Sequence, residues 1–134
     1  MRVFLDANVI FTAAHNPRGK AAFVIELDAA GHSSLFTSDA AREEAERNLA
    51  AKYPDSLPLF ASLLGQITAV TADLSAPFPD GLAAKDAIIF QAAIACCATH
   101  FLTGDLQHFG PFMNHPNMAC SIIVQTVAEF LAAL

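Results

Sequence analysis

A three-layer α/β/α sandwich with a mainly parallel central sheet of four to five strands is the fold this sequence predicts, and three observations predict it. Short apolar runs of strand length alternate with longer helical patterns along the chain, as parallel strands joined by helical crossovers require. Two of the runs, Val3-Phe4-Leu5 and Phe101-Leu102-Thr103, lead directly to an aspartate, at Asp6 or just beyond at Asp105. The segment from about Ala83 to Ala98 is apolar nearly all round, which suits a helix buried on more than one side.

The elements follow in order. Residues 2 to 5 read as a buried strand, and Asn16-Pro17 separates a short helix after Asp6 from a second over roughly residues 18 to 30, which Gly31 stops. Leu35-Phe36-Thr37 is the second strand, and Ser38 caps a helix from about Asp39 to Lys52 that Tyr53-Pro54 ends. Ser56-Leu57-Pro58 starts another short helix ending near Gly65, and Ile67 to Val70 is a strand. A loop rich in Pro, Asp and Gly, Thr71 to Gly81, leads to the buried helix. After the Phe101 strand, Gly104, Gly110, Pro111 and Pro116 make residues 104 to 118 a structured loop. Ser121 to Val124 is the last strand and Val127 to Leu134 the last helix.

Composition narrows the class. The 134 residues, 54% hydrophobic and 15% charged, match one domain with a real core, taken as 1–134. Ala87 to Ala98 is the longest apolar stretch, far short of the roughly 20 residues that span a bilayer. Asp6 interrupts the N-terminus before a signal-peptide apolar region develops, so no membrane association and a cytoplasmic location are expected. Cys96, Cys97 and Cys120 are odd in number with two adjacent, which fits neither a disulfide framework nor a Cys-x-x-Cys zinc site; they are expected to be buried thiols. The net charge of −6 argues against nucleic-acid binding by a broad basic surface alone. An electropositive rim has to come from Arg18, Lys20, Arg42, Arg47, Lys52 and Lys85.

The chemistry-bearing residues are acids. In an open parallel sheet, ligands bind beyond the carboxyl ends of the strands. Asp6 and Asp105 follow strands, and Asp86 sits in the first turn of the buried helix. Singly, each has an ordinary explanation: an N-cap at Asp6, a dipole-compensating acid at Asp86, a turn residue at Asp105. Together they would crowd one sheet edge and repel unless a cation bound, so a magnesium or manganese site for phosphate chemistry is expected. The helix after Ser38 offers a fourth acid. A step of about 100° per residue puts Ala41, Ala45 and Leu49 on one stripe and turns Glu43 away from it, toward Arg47 at i+4. Glu44 and Glu46 flank the stripe on opposite sides, and Asn48, one turn after Glu44, tilts the choice to Glu44.

These residues resemble the PIN-domain ribonucleases. The resemblance rests on Asp6-Ala7-Asn8 after a first strand, Ser38 with Glu44 six residues on, Lys85-Asp86 opening a buried helix, and Thr103-Gly104-Asp105 after a strand. It runs from Val3 to the final helix and implies a PIN-like fold. It further implies that Asp6, Glu44, Asp86 and Asp105 are the catalytic residues and surround one or two Mg²⁺ or Mn²⁺ ions, with Asn8 and Thr103 in support. The implied reaction is hydrolysis of RNA phosphodiesters. Many small bacterial members are toxins neutralised by a small antitoxin protein, which makes RNA and an antitoxin the implied partners. The chain departs from members with a further acid after Thr-Gly-Asp, having Gln107 and His108 there.

Asn48 is a further neutral neighbour for a carboxylate, and Lys85 a candidate phosphate contact. The histidines, at 15, 32, 100, 108 and 115, show no i, i+3 or i, i+4 pair, and His108 alone falls close to a proposed ligand. Phe109, Phe112 and Met113 are expected to offer an exposed patch in their loop. A phosphorelay receiver would want adjacent acids after the first strand and a late lysine, and a haloacid-dehalogenase phosphatase an Asp-x-Asp; Ala7, Asn8 and the lack of lysine after Lys85 oppose both. A non-catalytic RNA-binding or scaffold protein on the same fold is the remaining alternative, and whether the chain forms a homodimer stays open.

Overall fold

Five strands, all parallel, form the centre of the molecule. The computed structural model describes residues 1–29, 31 and 34–134; His32 and the expected end of the second helix at residue 30 lie outside them. In chain order the elements are β1 (Arg2–Leu5), α1 (Ala7–His15), α2 (Lys20–Ala29), β2 (Ser34–Ser38), α3 (Asp39–Lys52), α4 (Leu57–Leu64), β3 (Thr68–Val70), α5 (Ala84–Ala95), β4 (His100–Leu102), α6 (Leu106–Phe109), β5 (Ile123–Gln125) and α7 (Val127–Ala132). The expected α/β/α, mainly parallel architecture is the one observed. Residues 104–118, expected as a structured loop, hold α6 and two 3₁₀ turns at Gly110–Phe112 and Pro116–Met118.

Sheet order is β3-β2-β1-β4-β5, with β1 at the centre. The chain steps outward from β1 to β2 to β3, then crosses back to add β4 and β5 on the other side. Right-handed crossovers put α1 to α4 on one face and, because the direction reverses, α5 on the other. The order therefore reverses between β1 and β4, and a crevice opens there at the carboxyl ends of the strands.

Burial explains why the apolar runs are strands. Val3, Phe4 and Leu5 have no exposed surface, nor do Phe101 and Leu102, as central strands covered on both faces require. Phe4 stacks on Phe101, centroids 5.4 Å apart, and Phe90 of α5 and Phe109 of α6 tilt against Phe101. Such contacts add about 0.5–1.5 kcal/mol each beyond area burial. On α3 the stripe Ala41, Ala45 and Leu49 is fully buried. Ser38 Oγ accepts the Ala41 N–H at 3.1 Å, the cap the sequence predicts.

Three expectations are corrected. Cys96 is buried but Cys97 and Cys120 are exposed, because both lie in left-handed turns after secondary structure has ended (φ 56° and 53°). Phe109 and Phe112 are buried and Met113 is partly buried, so they anchor their loop in the core and form no exposed patch. Glu43 and Arg47 are exposed and form no ion pair among the described residues; Arg42 pairs instead with Asp39 at 3.7 Å. Among the described residues, no helix is long and apolar enough to cross a membrane.

Candidate metal centre

Register brings the first two site segments together. Leu5 pairs with Leu102, and the Asp6 N–H donates to the Leu102 carbonyl at 3.0 Å, so Asp6 and Thr103 leave β1 and β4 side by side. Asp6 is only 4% exposed and Thr103 is fully buried. The Thr103 hydroxyl donates to Asp6 Oδ2 at 2.8 Å and accepts the Asp105 N–H at 3.0 Å. Asn8 donates its amide to Asp6 Oδ2 at 3.0 Å and to Thr103 Oγ1 at 3.2 Å. Its carbonyl accepts the Gly104 N–H at 2.6 Å. A side chain at 104 would bring Cβ within 3.3 Å of Asn8 Oδ1, so the Asn8 side chain that accepts the Gly104 N–H would have to give way by a few tenths of an ångström.

Asp6 is also the N-cap of α1, its Oδ1 accepting the Ala7 N–H at 2.8 Å. The ordinary reading and the site reading thus hold for the same side chain. Burial raises the Asp6 pKa to about 6 against the hydrogen bonds from Thr103 and Ala7, and the charges of Glu44 and Asp86 push the same way. A carboxylate that burial and two neighbouring acids make costly to ionise is suited to a cation.

Asp86 enters from α5 and is 5% exposed. Its Oδ2 is buried without a hydrogen-bond partner among the described residues, an arrangement that costs about 1–3 kcal/mol or more for a charged group. Burial raises its pKa, opposed by Lys85 and His108 and reinforced by Asp105 and Glu44. Asp105 caps α6 through Oδ1, which accepts the His108 N–H at 3.1 Å, and its Oδ2 lies 2.6 Å from His108 Nδ1. Burial pushes the Asp105 carboxyl up, but the hydrogen bonds and charge of His108 outweigh it and leave the pKa lowered. His108 is correspondingly raised, first by the hydrogen bond to Asp105 and then by its charge.

The four expected acids do not form one equidistant cluster. Donor atoms of Asp86, Asp105 and His108 all lie within 4.8 Å of one another. Asp6 adjoins this trio through the Thr103 hydroxyl and is coupled by charge to Asp86 and Glu44. Glu44 is partly buried, 3.6 Å from the exposed Lys85 amine. Glu46 is exposed on α3 beside Glu43 and Arg47, and Asn48 is exposed without a side-chain hydrogen bond among the described residues. His108, which the sequence marks only as the histidine close to a proposed ligand, joins the group as its third member. Its signal was its position three residues after Asp105, where α6 turns the ring back onto its own N-cap.

The trio fits a divalent cation. It offers carboxylate oxygens, the donors hard cations prefer, one nitrogen, and a buried oxygen without a hydrogen-bond partner among the described residues.

The five-stranded all-parallel sheet flanked by helices is consistent with a PIN-like fold. Two solved structures share it. A chain of VapBC2 from Rickettsia felis, bound to a DNA fragment from their promoter, matches with a TM-score of 0.66 at 16% identity, covering 94% of this chain and 98% of that one. A chain of VapBC-1 from nontypeable Haemophilus influenzae gives 0.60 at 14%, covering 96% of this chain and 99% of the other. At these identities the likeness shows the fold. No protein-family model matches the sequence, and the curated proteins hold no match to it.

Proposed function

We propose that this protein is a divalent-metal-dependent endoribonuclease that hydrolyses RNA phosphodiester bonds as the toxin of a toxin–antitoxin pair. The observation that carries the reading is the convergence of Asp86 and Asp105, with Asp6 adjoining them through the Thr103 hydroxyl, at a site that holds a buried Asp86 oxygen without a hydrogen-bond partner among the described residues. Likeness to VapBC chains over 94% and 96% of the sequence supports a protein partner of the antitoxin kind. The reading takes residues 1–134 as one domain working in the cytoplasm.

Asp86 and Asp105 would hold the cation, with Asp6 beside them as the ligand shared between ions where two bind. Bound there, a divalent cation acidifies water and offsets charge on the phosphate. Thr103 and Asn8 fix the Asp6 carboxylate, so little reorganisation is left for the reaction. Lys85, exposed and 3.6 Å from Glu44, stands where it can contact a substrate phosphate. Glu44, the fourth proposed ligand, borders the site from α3 beside that amine and is coupled by charge to Asp6 and Asp86. Water attacks phosphorus, giving up a proton, and the bond to the leaving ribose oxygen breaks as that oxygen takes a proton up, with no Ser or Cys nucleophile required.

The test is cleavage of single-stranded and structured RNA with Mn²⁺ and with chelator. Cleavage should require the metal and be abolished in Asp6→Asn, with the fold retained. Full activity of that variant, or RNA binding without cleavage under any divalent cation, overturns the reading in favour of a scaffold.

A further inference from the structure

We infer that His108 is a direct nitrogen ligand of the cation, giving a mixed imidazole–carboxylate site that prefers Mn²⁺ to Mg²⁺. The inference rests on the metal-centre reading above and adds to it the identity of the metal.

Three observations converge on this ring. His108 Nδ1 lies 2.6 Å from Asp105 Oδ2 and 3.8 Å from Asp86 Oδ2. The second of these oxygens is the buried one without a hydrogen-bond partner among the described residues, and the imidazole stands near it without bonding it. The ring is also held in place: Asp105 Oδ1 accepts the His108 backbone N–H at 3.1 Å, so one aspartate orients both the backbone and the side chain of its neighbour ligand. Other described histidines are engaged elsewhere or lie apart from acids. His15 stacks on Tyr53, and His100 bonds Thr99 and meets the edge of Phe130.

The donor set decides the preference. Mg²⁺ is small, demands near-octahedral oxygen coordination and gives up water reluctantly. Imidazole suits first-row transition ions, and affinity rises along that row from Mn²⁺. Two donors at 2.0–2.1 Å around an octahedral ion stand roughly 3 Å apart. The 2.6 and 3.8 Å separations bracket that value, so a small movement of the half-exposed ring satisfies it. The competing use of the same contacts is an imidazolium that pairs with both carboxylates and occupies the cation's place.

Pulsed EPR of tag-free, Mn²⁺-loaded protein separates the two. The expected result is ¹⁴N modulation from one imidazole in the wild type, lost in His108→Ala while Mn²⁺ remains bound through the carboxylates. Calorimetric titration should give Mn²⁺ affinity at least roughly tenfold above Mg²⁺, a ratio that falls about tenfold in His108→Asp. His108→Gln provides a second variant if the alanine form does not fold. Mn²⁺ binding with no ¹⁴N modulation, modulation that survives the substitution, or an unchanged Mn²⁺/Mg²⁺ ratio overturns the nitrogen ligand and leaves the metal centre standing. Failure of the wild type to bind Mn²⁺ at all overturns both.

Discussion

Replacing Asp6 by Asn removes one buried charge from the centre of the sheet, and the consequence is calculable. Unfolded, Asp6 ionises at its ordinary value of 3.8; folded, burial raises this to about 6. Between those values the folded state holds a proton the unfolded state has released, so stability falls as pH rises and stays low above the folded pKa. At 1.36 kcal/mol per pH unit the whole penalty is about 3 kcal/mol, of which roughly 2.5 accrues between pH 4 and pH 8. The substitution carries its own cost, since the new amide can oppose the Asn8 amide that now donates to Oδ2. That cost is the same at both pH values and cancels. The assay is urea unfolding of the chelated protein and of Asp6→Asn at pH 4 and pH 8. The variant should gain about 2.5 kcal/mol relative to the wild type over that interval. Excess Mn²⁺ should then stabilise the wild type by mass action and the variant much less. A stability difference independent of pH would refute the claim that Asp6 is held in an environment hostile to its charge.

Three further outcomes are expected. Thr103→Val removes the hydroxyl that donates to Asp6 Oδ2 at 2.8 Å, raising the Asp6 pKa further and moving the pH midpoint of Mn²⁺ binding up by about one unit or more; Thr103→Ser should restore it, as pH-dependent calorimetry would reveal. Ser38→Ala loses the cap on Ala41 N–H and should cost about 1 kcal/mol in denaturant melts. Gln91→Met leaves the Leu74 and Ala76 carbonyls without the donor now at 3.1 and 2.9 Å. It should cost about 1–3 kcal/mol and speed hydrogen exchange across residues 71–83, and unchanged exchange there would remove Gln91 as the anchor of that loop.

Gln91 illustrates what patterning conceals. In the sequence it interrupts an apolar run; in the fold it is a buried side chain of α5 holding a loop 15 and 17 residues away. Phe109 and Phe112 were equally opaque, because the short turns Leu106–Phe109 and Gly110–Phe112 carry too few residues for periodicity to reveal an inward face. Asn48 alone tilts the sequence reading to Glu44 over Glu46, and the packing of α3 leaves Glu44 at the rim with Lys85 and Glu46 exposed.

Order and type of the strands and main helices were determined by the chain alone, since apolar runs, caps and breakers act between near neighbours and need no tertiary partner to be read. So was the candidacy of Asp6, Asp86 and Asp105, each tied to the end or start of an element. Tertiary structure decided the rest: that β1 is central, that Leu5 stands level with Leu102, that Asp86 Oδ2 has no hydrogen-bond partner among the described residues, and that His108 approaches two carboxylates. Those are distances between residues far apart in sequence, set by strand register and helix packing, and no local pattern encodes them.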